Sequence, residues 1–432
     1  MASPGPRSGK ADVESDIADL GLAQRGRARL DWAEANMPVL RGIGRRFARE
    51  RPFEGWRVAA CLHVTPETGT FLRVLRAGGA QVRLAAANPL ATSDDTAAAL
   101  VADDGISVFA RHGANRQRYQ RHIDQALDGG PQLILDDGCD LVNALQARPE
   151  LREQVVGGTE ETATGVLRLR QLARDGGLRF PMVAVNDTPT IRLVDNRFGT
   201  GQSTIDALLR ATNLLLAGRT VVVAGYGDCG QGIATRARGM GATVVVTEID
   251  PTRALAASLE GYRVLPMAAA AAVGEVFLTA TGGRDAVRAE HFAVMKDGAV
   301  LGNAGHFDVE IDLRALRKLA VRPPARVRPH TDEYVLADGR RLLLLADGRL
   351  VNLAAAEGHP AAVMDLGFGV QALTAKWLVA VAGTLAPEVH SVPPGLDEDV
   401  ARLELAALGV QIDAPTPAQR EYVSSWQPSP QT

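Results

Sequence analysis

Lysine is nearly missing from this 432-residue chain: it stands only at positions 10, 296, 318 and 376, while arginine is abundant. The bias reflects the base composition of a genome, and with a net charge of -3 it leaves no basic excess to draw the protein onto nucleic acid or anionic lipid. Cysteine is as scarce. Cys61, Cys139 and Cys229 lie far apart without paired-thiol spacing, which excludes a disulfide framework or zinc cage, fits a reducing compartment and makes them small buried residues. Long apolar runs are also absent: the longest, residues 205–225, is broken by Arg210 and Arg219, and the opening MASPGPRSGKADVESD has no apolar core of a signal peptide. The expectation is a cytoplasmic protein, neither secreted nor membrane-spanning, with a small-molecule partner.

What is present is the material for two cores. Hydrophobic residues make up 46% and charged residues 22% of a chain too long for one domain. Short apolar runs alternate with amphipathic segments: RVAACLHV, AQVRLAA, PQLILDD, PMVAVND, RTVVVAGYG, ATVVVTEID, EVFLTATG, AVLGNAG. That alternation predicts an α/β protein of doubly wound domains, in which sites gather at the carboxyl ends of strands. The residues in that position are His63, Asp136 and Asp137, Asn186 and Asp187, Gly225, Glu248, Thr281 and His306. No internal period indicates a solenoid or propeller. Residues 1–15 and 427–432, rich in proline and serine, read as frayed ends.

One segment carries a cofactor signal. The run TVVVA, residues 220–224, is followed by Gly225, Gly227 and Gly230 in GxGxxG spacing with Asp228 between, and a second strand ends on Glu248, eighteen residues past the third glycine. Strand, glycine turn, helix and acid in that order predict a dinucleotide whose pyrophosphate meets a helix N-terminus. A carboxylate at 248 repels a 2'-phosphate, so NAD is favoured over NADP.

Longer segments extend this reading. DLGLAQRGRARLDWAEANMPVL, AACLHVTPET, LILDDGCDL, GTEETATGV, VNDTPTIRLVDN, VVVAGYGDCGQG, VVVTEIDP, NAGHFDVEID and GRLVNLAAAEGHPAAVMD together resemble S-adenosylhomocysteine hydrolase from about residue 15 to 425. The resemblance implies two Rossmann-like domains: a substrate domain of residues 1–190, an inserted NAD-binding domain of 191–355, and a return to the first over 356–432. It also implies a homo-oligomer, dimer or tetramer, acting on an adenine nucleoside. In family chemistry the 3'-hydroxyl is oxidised, which acidifies C4'–H; a base removes that proton, the C5' substituent leaves, water adds, and the ketone is reduced again. By the resemblance His63, Asp137 and His306 form the cluster at the C5' side, and Glu161 and Asp195 hold the ribose hydroxyls and assist proton removal. Thr65, Glu67 and His359, with Met364 nearby, match the adenine pocket. Thr162, Thr164, Asn196, Glu248, Asn303 and Asn352 match cofactor contacts, with the Gly-rich turn. His112, His122 and His291 are read as surface residues. No HExxH or His/Cys cluster points to a catalytic metal.

The chain departs from the family at the sugar. Ile191 stands where the family has a lysine that contacts the sugar hydroxyls, and a branched hydrocarbon cannot move a proton. Arg192 is its neighbour, but on an extended segment it points the other way. Thr200 replaces a cysteine near the nicotinamide, and Ala163 the middle threonine of an ETTTG motif. Glu357 replaces a methionine lining adenine, where it either reads a purine amino group or turns to solvent. The family's C-terminal lysine and tyrosine, which reach a neighbouring subunit's NAD, have no counterpart in the closing WQPSPQT. Since the Gly-rich turn and the C5' cluster are intact, the pattern indicates retuning. It favours a nucleoside 5'-dehydratase that releases a 4',5'-unsaturated nucleoside, as an angustmycin-type antibiotic pathway requires. The competing readings are ordinary hydrolysis of S-adenosylhomocysteine and a non-catalytic NAD- or nucleoside-binding paralogue.

Overall fold

The computed structural model describes residues 13–426; both expected frayed ends fall largely or wholly outside that range. The strands are β1 (Arg57–Leu62), β2 (Gln81–Ala86), β3 (Ser107–Phe109), β4 (Leu133–Asp136), β5 (Gly157–Glu160), β6 (Met182–Ala184), β7 (Thr220–Ala224), β8 (Thr243–Thr247), β9 (Arg263–Val264), β10 (Val276–Thr279), β11 (Ala299–Asn303), β12 (Ala325–Arg328), β13 (Thr331–Val335), β14 (Arg341–Leu345) and β15 (Val389–Ser391). They form two sheets, in the orders β15-β6-β5-β4-β1-β2-β3 and β12-β13-β14-β11-β10-β7-β8-β9. The first is parallel throughout; in the second β13 alone runs antiparallel to its neighbours, β12 and β14.

Their composition explains this architecture. Thr220-Val-Val-Val-Ala224 is buried along nearly its whole length, as a parallel strand covered by helices on both faces must be. The chain leaves the first sheet after β6, builds the whole second sheet, and returns to lay β15 beside β6, Val389 opposite Met182. The returning helix Ala361–Ala380 is apolar nearly all round, so it is buried as well. Phe368 on it stacks on Phe71 with ring centroids 4.9 Å apart. Its buried Asp365 accepts hydrogen bonds from the backbone N–H of Val39 (2.8 Å) and Leu40 (2.7 Å), satisfying donors that the helix Pro38–Glu50 leaves free.

Two histidines expected at the surface are inside. His122 is 2% exposed and its Nε2 lies 2.9 Å from an Asp16 carboxylate oxygen, while His291, 3% exposed, accepts the Arg288 N–H at Nδ1. Each has a local partner for its polar edge, which sequence spacing does not reveal. His112 is exposed. Among the described residues no helix is long and apolar enough to cross a membrane.

Candidate active site

The carboxyl ends of the two sheets face a shared cavity of about 630 Å³. Two helices of the first sheet open onto it. The helix Pro66–Ala77 is capped by Thr65, whose hydroxyl accepts the Thr68 N–H, and the helix Ala163–Arg174 by Thr162, which accepts the Gly165 N–H at 3.0 Å. Their positive N-terminal ends therefore point at the cavity.

Acidic pairs divide their labour here. At the end of β4, the Asp136 carboxylate is consumed by backbone N–H groups of Asp137, Asp140 and Val142, whereas Asp137 faces the cavity. At the end of β5, Glu160 accepts from Gly138, Cys139 and Thr162, whereas Glu161 faces the cavity. The strand's alternation assigns one acid to structure and the next to the site.

His63, at the end of β1, places Nε2 3.3 Å from Asp137 Oδ2, and His306 packs beside it with ring centroids 6.2 Å apart. Ligand atoms of His63, Asp137 and His306 all lie within 4.8 Å of one another, a spacing compact enough for a metal ion as well as for proton transfer. Asp137 Oδ1 and His63 Nδ1 are buried without a hydrogen-bond partner. Burial lowers His63 to about 4, helped by the charge of His359, and lowers His306 too. Burial raises Asp137 and, further, Glu161, and the cavity carboxylates reinforce each other. Neutral imidazoles beside two carboxyls that take up a proton more readily than exposed ones, Asp137 at about 6, are the result.

A raised carboxyl has a signed effect on stability. The folded protein binds these protons more tightly than the unfolded chain, so the contribution is present below the unfolded value near pH 4 and is lost as pH rises through the raised folded values. Asp137→Asn, which mimics the protonated form, therefore stabilises the protein at pH 8 by about 1–3 kcal/mol and changes little at pH 4. Thermal unfolding of both proteins across that range checks this; equal curves at pH 8 would refute it.

Another wall of the cavity is built from a segment that is helical, not extended: Pro189–Ile191 is followed by a π-helical stretch, Arg192–Gly199. Local composition with Thr188 as N-cap and Pro189 at the first helical position starts this helix. Two expectations change with it. Ile191 does not line the cavity but sits 3% exposed in the first hydrophobic core. Arg192, expected to point away, reaches the cavity and pairs with Asp228 at 2.8 Å. Asp195 and Asn196 line the cavity from the same stretch, and Asp195 Oδ2 lies 3.0 Å from His359 Nδ1. Glu67, Met364 and Phe368 close one end, with Glu67 raised by burial. Glu357 stands at the rim, its side chain 68% exposed, paired with Arg29 at 3.3 Å and Arg210 at 3.7 Å.

At the other end lies the Gly-rich turn. Gly225 has φ +93°, and a Cβ on Gly230 would lie 2.0 Å from the Gly225 carbonyl oxygen. The turn and the start of helix Asp228–Gly239 thus need glycine to close on each other and leave backbone N–H groups for a phosphate. Gly227, Asp228, Thr162, Thr164 and Asn352 reach the cavity. Asn352 Oδ1 is a buried acceptor without a partner, which a cofactor's donor would satisfy. Glu248 and Asn303 are set back from the wall. Glu248 accepts the N–H groups of Tyr226 (2.6 Å), Ile249 (2.6 Å) and Asp250 (2.9 Å). Asn303 is fully buried and binds Gly305 and Phe307, so it braces the loop that carries His306.

Sequence reading missed Arg253 and Cys229, which both line the cavity. Arg253 follows Glu248 by five residues, and its Nη1 would lie 3.5 Å from a Cβ on Gly227; a cation on the first turn after the acid was the available signal. Cys229 lies inside the Gly-rich motif itself, whereas Cys61 and Cys139 are buried as expected.

Family models described as "S-adenosyl-L-homocysteine hydrolase" and "S-adenosyl-L-homocysteine hydrolase, NAD binding domain" match residues 14–149 and 196–358. The chain is 53% identical over 422 residues to the adenosylhomocysteinase of Thermosynechococcus vestitus, covering 98% of each chain. It is 54% identical over 416 residues to that of Aquifex aeolicus, covering 96% of this chain and 99% of the other. The dinucleotide that the Gly-rich turn serves is NAD.

Proposed function

Because this chain belongs to the S-adenosyl-L-homocysteine hydrolase family, we propose that it is a divergent member lacking the active-site lysine: a nucleoside 5'-dehydratase that releases a 4',5'-unsaturated adenine nucleoside. In this reading residues 191–355 hold the cofactor, and 1–190 with 356–432 hold the substrate. The observation that carries it is a contrast. His63, Asp137 and His306 are assembled over the cavity with unpartnered polar atoms, while Ile191 is packed into the core.

Bound NAD supplies a reversible acceptor for the hydride of the 3'-carbon. The Gly-rich turn, Thr162, Thr164, Asn196 and Asn352 hold it. Thr65, Glu67 and Met364 hold the base. Glu161 takes the C4' proton, which a neighbouring ketone makes acidic, and Asp137 gives a proton to the departing C5' oxygen. Loss of water moves one proton on and one off, so a cluster that shares a proton between two carboxyls ends the step with that proton relocated. The leaving group also fits. A thiol near pKa 8.5 departs with little help, but hydroxide, whose acid has pKa about 15.7, needs a proton donor at its oxygen. Asp137, raised by burial to about 6 and 3.3 Å from His63 Nε2, is placed to be such a donor.

The second reading, ordinary hydrolysis to adenosine and homocysteine, is favoured by the 53% identity to an adenosylhomocysteinase. Mass spectrometry in D2O separates the two, with S-adenosylhomocysteine, adenosine and an adenine hexulose nucleoside offered in turn to the NAD-loaded protein. Deuterium at the C4'-equivalent carbon with loss of water supports the dehydratase. Homocysteine release restores the hydrolase, and absence of exchange with every nucleoside leaves a binding protein.

A further inference from the structure

With Ile191 buried, no ammonium reaches the sugar hydroxyl, yet three other side chains in the cavity stand in line. Thr200 Oγ lies 3.2 Å from His359 Nε2, and His359 Nδ1 lies 3.0 Å from Asp195 Oδ2. They come from three places: the π-helical stretch, the first residue of helix Thr200–Thr212, and the loop preceding helix Ala361–Ala380. All three side chains border the cavity. A Cβ on Gly199 would lie 3.3 Å from the His359 ring, so the absence of a side chain there leaves the imidazole its place.

We propose that Thr200, His359 and Asp195 form a proton relay for the sugar hydroxyl, taking over the work of the missing lysine. The inference rests on the oxidative reading above. It moves His359 from base recognition to proton transfer.

Hydroxyl, imidazole and carboxylate in this order are the arrangement in which an imidazole accepts a hydroxyl proton while the acid behind it steadies the cation. The substrate O–H breaks and its proton passes to Thr200 Oγ, whose own proton passes to His359 Nε2. The carbinol C–H breaks with its electron pair leaving as hydride to NAD+, and a C=O remains. Asp195 acts as a positioning residue, its Oδ2 3.0 Å from His359 Nδ1. The charged groups facing the imidazole are Asp195 and Glu67, which favour its cation, and His63, against which it weighs; burial opposes the cation, and the net direction is upward. Cys229, which also touches Thr200, is held up to about 12 by burial and does not compete as a base.

The test uses the NAD-loaded full chain with adenosine and the hexulose nucleoside. Absorbance of reduced nicotinamide gives the oxidation rate, calorimetry gives affinity, and NMR of labelled histidine gives the His359 titration in resting protein. Thr200→Val slows oxidation by about 100-fold or more, Thr200→Ser restores it, and His359→Gln slows it as much with nucleoside affinity held within about fivefold. Asp195→Asn lowers the His359 titration midpoint. A Thr200→Val rate equal to wild type, an affinity loss in His359→Gln matching its rate loss, or an unmoved midpoint in Asp195→Asn overturns the relay alone. Wild-type protein that oxidises neither nucleoside removes the functional reading and the relay with it.

Discussion

Asp137→Asn is expected to leave the protein folded and loaded with NAD, to preserve oxidation and exchange at C4', and to slow release of the C5' oxygen by about 1,000-fold. The reason lies in three adjacent titrations. His63 is lowered to about 4 and His306 is lowered as well, so neither imidazole carries a proton to spare at neutral pH. Asp137 is raised by burial to about 6, so it holds a proton near neutrality far more often than an exposed aspartate does, 3.3 Å from His63. Asparagine preserves the shape and donates no acidic proton. Stopped reactions analysed by mass spectrometry should contain deuterated, still hydroxylated nucleoside. Release of water at the wild-type rate would assign the acid to a histidine instead. The same variant gains stability at high pH, so loss of activity with a higher unfolding temperature separates chemistry from damage.

Glu161→Gln is expected to do the reverse, abolishing deuterium entry at C4' by about 1,000-fold while oxidation of the sugar proceeds and the reduced nicotinamide accumulates. Glu161 is raised well above the usual carboxylate range by burial and by Asp137 and Asp195, so once ionised it is a stronger base than an exposed carboxylate. It faces the cavity, while its neighbour Glu160 is consumed by three backbone N–H groups. Glutamine at 161 removes the base and leaves that scaffold untouched. Persisting exchange would move the base to another carboxylate, Asp195 first.

The two variants dissect a cluster whose members were legible because local chemistry advertised them. A β-branched run, a glycine turn and an acid at the end of the next strand follow from short-range rules, and so do the strand-end positions of His63, Asp137 and His306, whereas Glu161 was reached through the family resemblance. Those rules also supplied the two doubly wound sheets, since alternation of buried runs and amphipathic segments is written residue by residue. They gave the wrong side for Arg192, because a proline after an N-cap threonine started a helix inside what had been taken as an extended segment.

What sequence determined by itself was therefore the set of elements, the dinucleotide turn, the chemistry available at each strand end, and an apolar isoleucine at 191. Tertiary structure alone decided that Ile191 turns into the core, that His122 finds a carboxylate partner inside, and that Glu357 is held by Arg29 and Arg210. It alone brought His359 to Asp195 and Thr200, which are 164 and 159 residues away in the chain. Periodicity and turn chemistry act over a few residues, whereas these contacts exist only because two sheets close on one cavity, and nothing in the local sequence encodes which distant side chain will be waiting there.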